Sequence, residues 1–367
     1  MNDTVANLSE YDEMPCTVIK CLFTFTEIVA ILFSTATVFI VSVTGNILII
    51  FLILYNKSLR NTTNVHTFGL AVSDLLIAFF CMPTITIDMF IATEWIFGAF
   101  MCKFVSYVQN TAITATMLNL LAIGGQKFLA VCFPLKFPRS RHRFYTVITT
   151  GLVWLIALSE SSIMLVAKKT VEFHGKVYCF EEWPNEDILV PFTIGHCVVL
   201  FFLPLFALVM IYTYTAWYLR NDMKSKSKRS PLRKSMSCSL SGAPPRANDP
   251  KSHALKLLIT LMMVVAVCWS PLYILQMVAF TGLAEKIGNE TLNILYSVCL
   301  LLLFFATSIH PILYGLISNK FRRAFKKTFC NNPRLALQKR CGNTTVSAMN
   351  SKKVAENTEE FITLSRM

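Results

Sequence analysis

Seven long runs of predominantly apolar residues alternate with short polar loops along this 367-residue chain. They fall at about 26–55, 64–91, 101–133, 145–166, 188–218, 252–280 and 292–317. At 1.5 Å rise per residue, each crosses a hydrocarbon core of about 30 Å. Lipid offers no partner for a backbone N–H or C=O, so each run must satisfy its own as a helix. The pattern predicts an all-α membrane protein, a seven-transmembrane helix bundle over residues 26–318. Residues 1–25 form an N-terminal segment. Residues 319–330, basic and amphipathic, form a short eighth helix on anionic lipid, and residues 331–367 form a polar, disordered tail.

Composition and charge sharpen this picture. The chain is 54% hydrophobic with 29 Phe, and only 15% is charged. Its net charge of +13 would suggest nucleic acid in a soluble protein, but the basic residues are sorted by loop. Lys57 and Arg60, then Lys136, Arg139, Arg141 and Arg143, then the lysine-rich stretch 224–251, and finally Lys320 to Lys327 occupy alternate connections. The acidic N-terminus and the other loops lack this excess. The positive-inside rule places the N-terminus outside and the C-terminus inside, as seven crossings require. The expected location is the plasma membrane, multi-pass, with no nucleic-acid partner. No cleavable leader is expected, because the first apolar run starts late and follows acidic residues. Sequons at Asn2, Asn7 and Asn289 fall on the outer face as glycosylation sites; those at Asn61 and Asn343 fall inside. Twelve cysteines are too dispersed for a disulfide scaffold. Cys16, Cys21, Cys102 and Cys179 lie outside or at the outer boundary. Cys16 and Cys21 either pair or stay free. Cys330, after the basic stretch, is a palmitoylation site.

Motifs in order along the runs resemble those of rhodopsin-like (class A) G-protein-coupled receptors, over about residues 25–330. They are Gly45-Asn46, the run Leu70 to Leu76 containing Asp74, Trp95 before Cys102, Trp154, Pro204 with Tyr212, Cys268-Trp269-Ser270-Pro271 and Pro311-Ile312-Leu313-Tyr314. The resemblance implies a Cys102–Cys179 disulfide, a heterotrimeric G protein and arrestin as partners, and no enzymatic activity. Prolines within helices remove a backbone bond and create pivots, so Pro204, Pro271 and Pro311 give three hinges, with Trp269 just before one. Asp74 is an ionisable group at membrane depth and therefore functional by default; in the family it holds a sodium ion.

Three switch positions depart from the family pattern. Gln126-Lys127-Phe128 stands where Asp-Arg-Tyr is usual, 25 residues after Cys102. The position 18 before Trp269, often acidic, is Lys251. The restraining ion pairs are lost, and lysine lacks the planar fork of arginine. His310 replaces Asn or Asp before Pro311 and should point toward Asp74. It stands there either as an imidazolium in place of sodium or as a neutral hydrogen-bonded ring, which makes the sodium site doubtful; no other cofactor or metal is expected. Val265 replaces a usual Phe, facing Met117.

For the ligand, Gln109 sits seven residues after Cys102, where amine receptors carry an aspartate. Phe304 stands where opsins need a lysine. Gln109 and the loop Val177 to Pro184 resemble peptide receptors of the neuropeptide Y, neuropeptide FF and orexin kind, RFamide types included. Five acids against three lysines between Ala167 and Asp187, with Asp88 nearby, predict an acidic mouth that concentrates cations. The expected ligand is a basic peptide. Asp88, Glu181 and Glu182 would pair with its charge, and Gln109, His196, Trp269, Tyr273 and Gln276 would line its pocket. The switch residues are Asp74, Gln126, Lys127, Phe128, Tyr212, Trp269, His310, Pro311 and Tyr314. Two functions remain open: a G-protein-activating receptor, with raised basal activity if lost restraints dominate, and a non-signalling scavenger or dimer partner.

Overall fold

The computed structural model describes residues 24–133, 139–183, 186–234, 250–279 and 287–330. Among them are seven helices long and apolar enough to cross a membrane: Phe25–Tyr55, Asn64–Phe90, Gly98–Cys132, Arg143–Ala167, Leu189–Asn221, Leu255–Val278 and Ile294–Ile317. They are called the first to seventh spans below. A capping box starts the first: the Thr24 side chain accepts from the Glu27 backbone, and Glu27 reaches back to Thr24 N–H. The fifth span continues as helix to Lys234, well beyond its apolar part.

The spans differ in regularity. Five-residue π-helical turns interrupt the second at Ile77–Cys81 and the fifth at Val198–Phe202, and prolines lie inside the fifth, sixth and seventh. The third, Gly98–Cys132, runs 35 residues as one α-helix. It packs against the second, fourth and fifth spans, and buries Met117, Asn119, Leu120 and Ile123 on the way. Many outward apolar side chains, such as Phe33, Phe206 and Val267, remain exposed. A water-soluble bundle of this size would bury them; here they face the lipid that the composition demands.

Close approach between spans is bought at specific small residues. A Cβ on Gly45 would lie 2.6 Å from the Pro311 ring, so the first and seventh spans meet only because residue 45 has none. Asn46 then donates to the Thr307 carbonyl at 3.1 Å. Asn119 fills the space beside Gly69 in the same way. It shares a buried network in which His66 contacts Asn119 Oδ1 at 2.9 Å and Thr149 Oγ1 at 3.1 Å, joining the second, third and fourth spans.

At one end of the bundle the chain between the fourth and fifth spans forms an antiparallel hairpin, β1 Lys168–Phe173 and β2 Lys176–Glu181. His174 and Gly175, both at positive φ, make its two-residue turn. Cys179 on β2 is disulfide-bonded to Cys102 at the start of the third span, with 5.6 Å between Cα atoms. Trp95 N–H donates to the Val177 carbonyl at 2.6 Å, and Val177 N–H donates to Glu94 at 3.1 Å, fixing the preceding loop to the same strand. Separately, Asn319–Phe325 forms a two-turn helix continued by a wider turn at Lys326–Cys330. Asn2, Asn7, Cys16 and Cys21 lie outside the described residues, as do the side chains of Lys251, Asn289 and Cys330.

Candidate functional site

A cavity of about 460 Å³ opens at the hairpin end. The third, fourth, fifth, sixth and seventh spans line it, together with Lys168 and Glu181 from the hairpin. Gln109, Glu181, His196, Tyr273 and Gln276, all read from the sequence as ligand contacts, share this wall. Ser106, Asn110 and Thr193 add further neutral polar groups, and Leu272, Leu292 and Phe192 supply apolar surface. Aromatic stacking stiffens the wall: Tyr273 stacks on Phe201 at 4.2 Å between centroids, and Phe192 packs against Trp183 at 4.7 Å.

Three other residues expected at the ligand lie off this wall. Trp269 is fully buried in the sixth span, and its indole N–H finds no partner among the described residues. Asp88 sits half-buried on the second span. Glu182 pairs with Lys169 at 3.3 Å on the exposed hairpin. Glu181 is also engaged: Oε2 lies 3.3 Å from Lys168 Nζ, and Oε1 accepts from Trp183 Nε1 at 2.7 Å. The strand register puts Lys168 directly across from Glu181. The acidic mouth expected from counting loop charges is therefore partly neutralised by its own lysines.

An acid that the sequence reading passed over stands beside the cavity. Glu160, on the fourth span, accepts from Thr114 of the third at 2.5 Å and from Ser161 at 3.0 Å, both on Oε1. Its Oε2 lies 3.2 Å from His196 Nε2 on the fifth span. The signal was present: an acid within an apolar span, the same signal that singles out Asp74.

The residues expected to form the switch lie within the spans. His310 Nδ1 lies 2.9 Å from Asp74 Oδ2, with both side chains essentially sealed from the surface. Asp74 Oδ1 and His310 Nε2 have no hydrogen-bond partner among the described residues. Met117 and Val265 are buried, as is Trp269. Tyr314 OH donates to Thr67 at 3.4 Å, and the buried Tyr212 hydroxyl finds no hydrogen-bond partner among the described residues. Gln126 is buried and its amide donates to Thr146 of the fourth span at 3.0 Å. Phe128 packs edge-on against Tyr214 at 5.6 Å. Where a family receptor holds an arginine against its neighbouring aspartate, this chain thus ties position 126 to the fourth span with a neutral bond.

A seven-helix membrane bundle with a disulfide-tethered hairpin at a polar cavity, and prolines inside its fifth, sixth and seventh spans, defines a class. Residues 45–314 match the 7 transmembrane receptor (rhodopsin family). The chain belongs to that family, the class A G-protein-coupled receptors. It is 28% identical over 307 residues to the pyroglutamylated RF-amide peptide receptor of Mus musculus, covering 80% of this chain and 68% of that receptor. It is also 28% identical to a QRFP-like peptide receptor of Branchiostoma floridae, covering 78% and 74%, and 26% identical to neuropeptide FF receptor 2 of Rattus norvegicus, covering 80% and 70%.

Proposed function

We propose that this chain is a plasma-membrane receptor for a basic peptide with an amidated aromatic terminus, and that it activates a heterotrimeric G protein. The observation that carries the reading is the cavity under the hairpin. Its wall is rich in amide and hydroxyl groups, Gln109, Asn110 and Gln276 among them, with aromatic and aliphatic surface between. A terminal amide exchanges hydrogen bonds with such groups, and an aromatic ring takes the apolar part. The names of the RF-amide and neuropeptide FF relatives point to the same ligand class. The hairpin end faces outward in this reading, because the basic connections lie at the opposite end and the acidic N-terminus precedes the first span. Arrestin would engage the phosphorylated tail, and lipid the basic eighth helix.

His310 takes the place of sodium in this receptor. A hard cation is best held by oxygen ligands, and here an imidazole nitrogen stands 2.9 Å from the aspartate. The ring supplies the hydrogen bond that the ion would otherwise offset.

A second reading is favoured by one observation. Gln126 is bonded to Thr146, and residue 127 is lysine, so the charged hinge that couples most relatives to G protein is rebuilt. A chain that binds peptide without signalling, as a scavenger or dimer partner, would look like this. The deciding experiment is G-protein activation in cells by peptides ending in Arg-Phe-amide, with native chain, Lys127→Arg and Gln126→Asp/Lys127→Arg at matched surface expression. The expected result is a peptide-driven response in the native chain. Surface binding of peptide with no response, and a response gained with Lys127→Arg, would give the second reading the lead.

A further inference from the structure

We infer that Glu160 is the anionic anchor of the cavity, the group that takes the cationic side chain of the ligand. The inference rests on the peptide-receptor reading above and deepens it by naming the charge that selects a guanidinium.

Of the acids that look suitable from the sequence, Asp88 lies off the cavity wall and the other two are already engaged. Glu181 spends both oxygens on Lys168 and Trp183, and Glu182 is paired with Lys169. Since the register sets Lys168 against Glu181, the two hairpin residues on the cavity wall offset each other. Glu160 has a different set of neighbours. Thr114 and Ser161 donate neutral hydrogen bonds to Oε1, and neither brings a countercharge. Oε2 faces His196 Nε2 at 3.2 Å, yet that nitrogen makes no hydrogen bond among the described residues: the ring is near the oxygen but not aimed at it.

His196 itself lines the cavity, as does Met164 one helical turn beyond Glu160. The imidazole is thus a loosely held cover between a carboxylate oxygen and the ligand space. A guanidinium reaching His196 from the cavity replaces a misaligned ring with two directed, charge-assisted N–H bonds, while Thr114 keeps Oε1 in place. A carboxylate only 17% exposed, held among apolar spans, discriminates charge more strongly than a solvated loop acid.

The test uses purified receptor in detergent and two amidated peptides, one ending in Arg-Phe-amide and one with citrulline, the neutral isostere, in place of that arginine. Kd is read for each by ligand-dependent thermal unfolding. In the native chain the arginine peptide is expected to bind about thirtyfold tighter or more, the range for losing one partner of a desolvated charge pair. Glu160→Gln should bring the two peptides within about threefold, and Glu181→Gln should leave the preference standing. Glu160→Asp, which keeps the charge, should retain most of the preference and serves if Glu160→Gln does not fold. A preference that survives Glu160→Gln, or one abolished only by Glu181→Gln, overturns the assignment while leaving the peptide receptor intact. Equal binding of both peptides by the native chain also overturns it. Binding of neither peptide overturns the RF-amide reading itself, and the inference with it.

Discussion

Two histidine–carboxylate pairs cross between spans of this receptor, and they differ in burial and in hydrogen-bond alignment. Asp74 and His310 join the second and seventh spans at 2.9 Å with 0% and 1% of their side chains exposed. Glu160 and His196 join the fourth and fifth at 3.2 Å with 17% and 13% exposed, at the edge of a cavity. The chemical groups are the same. The sealed pair can only keep its own partner, because nothing else reaches it. The open pair can exchange its histidine for another donor. Burial and alignment, rather than residue type, therefore separate a sealed pair from one that a ligand could reach.

The largest effect that would break this comparison is expected at the sealed pair. His310→Ala leaves Asp74 buried opposite a void, and losing one member of such a pair costs about 3–5 kcal/mol. A sharp fall in melting temperature and surface expression is expected, with much of it recovered in Asp74→Asn/His310→Asn. If His310→Ala melts like the native chain, the two pairs do not differ as described. Gly45→Val comes next. Its side chain would collide with Pro311, and overpacking of this kind costs about 1–3 kcal/mol; thermal unfolding reads the loss, and an unchanged melting point would show that the seventh span yields. Glu160→Gln should cost less, about 1 kcal/mol, since the amide still accepts from Thr114 and the site is partly open. A loss as large as that of His310→Ala would make Glu160 a second sealed charge. The smallest effect concerns sodium. Melting of the native chain should not respond when sodium replaces potassium at constant ionic strength, whereas His310→Asn should gain a response. No response in the variant would argue against His310 standing in for the ion.

The bundle was legible because seven membrane-length apolar runs permit little else, and their expected limits differ from the observed ones by only a few residues. Asp74 and His310 were legible together, since a charge at membrane depth and a family departure pointed at one place. The hairpin was not. Its strands are short, and Lys168–Phe173 is mostly exposed and opens on two lysines, so no sustained apolar alternation marks it as a strand. The consequence fell on the site. Without the register, Glu181 and Glu182 read as unengaged acids, while across-strand and neighbouring lysines in fact meet them. Glu160 was overlooked for the opposite reason. It sits among Ser159, Ser161 and Ser162, so the segment looks like a polar boundary although the helix carries the acid inward to Thr114.

The third span has a mechanical meaning beyond its contacts. Neither proline nor a π turn breaks it from Gly98 to Cys132, while the second, fifth, sixth and seventh each contain a compliant point. Gln109 in the cavity and Phe128 at the far end are 19 residues apart on this one rod, about 28 Å at the helical rise. With its hairpin-end terminus clamped by the Cys102 disulfide, the rod has little freedom to bend and more to twist. A ligand that torques it at Gln109 would turn Gln126 against Thr146 and Phe128 against Tyr214, so the receptor's inner face would register rotation before it registered displacement.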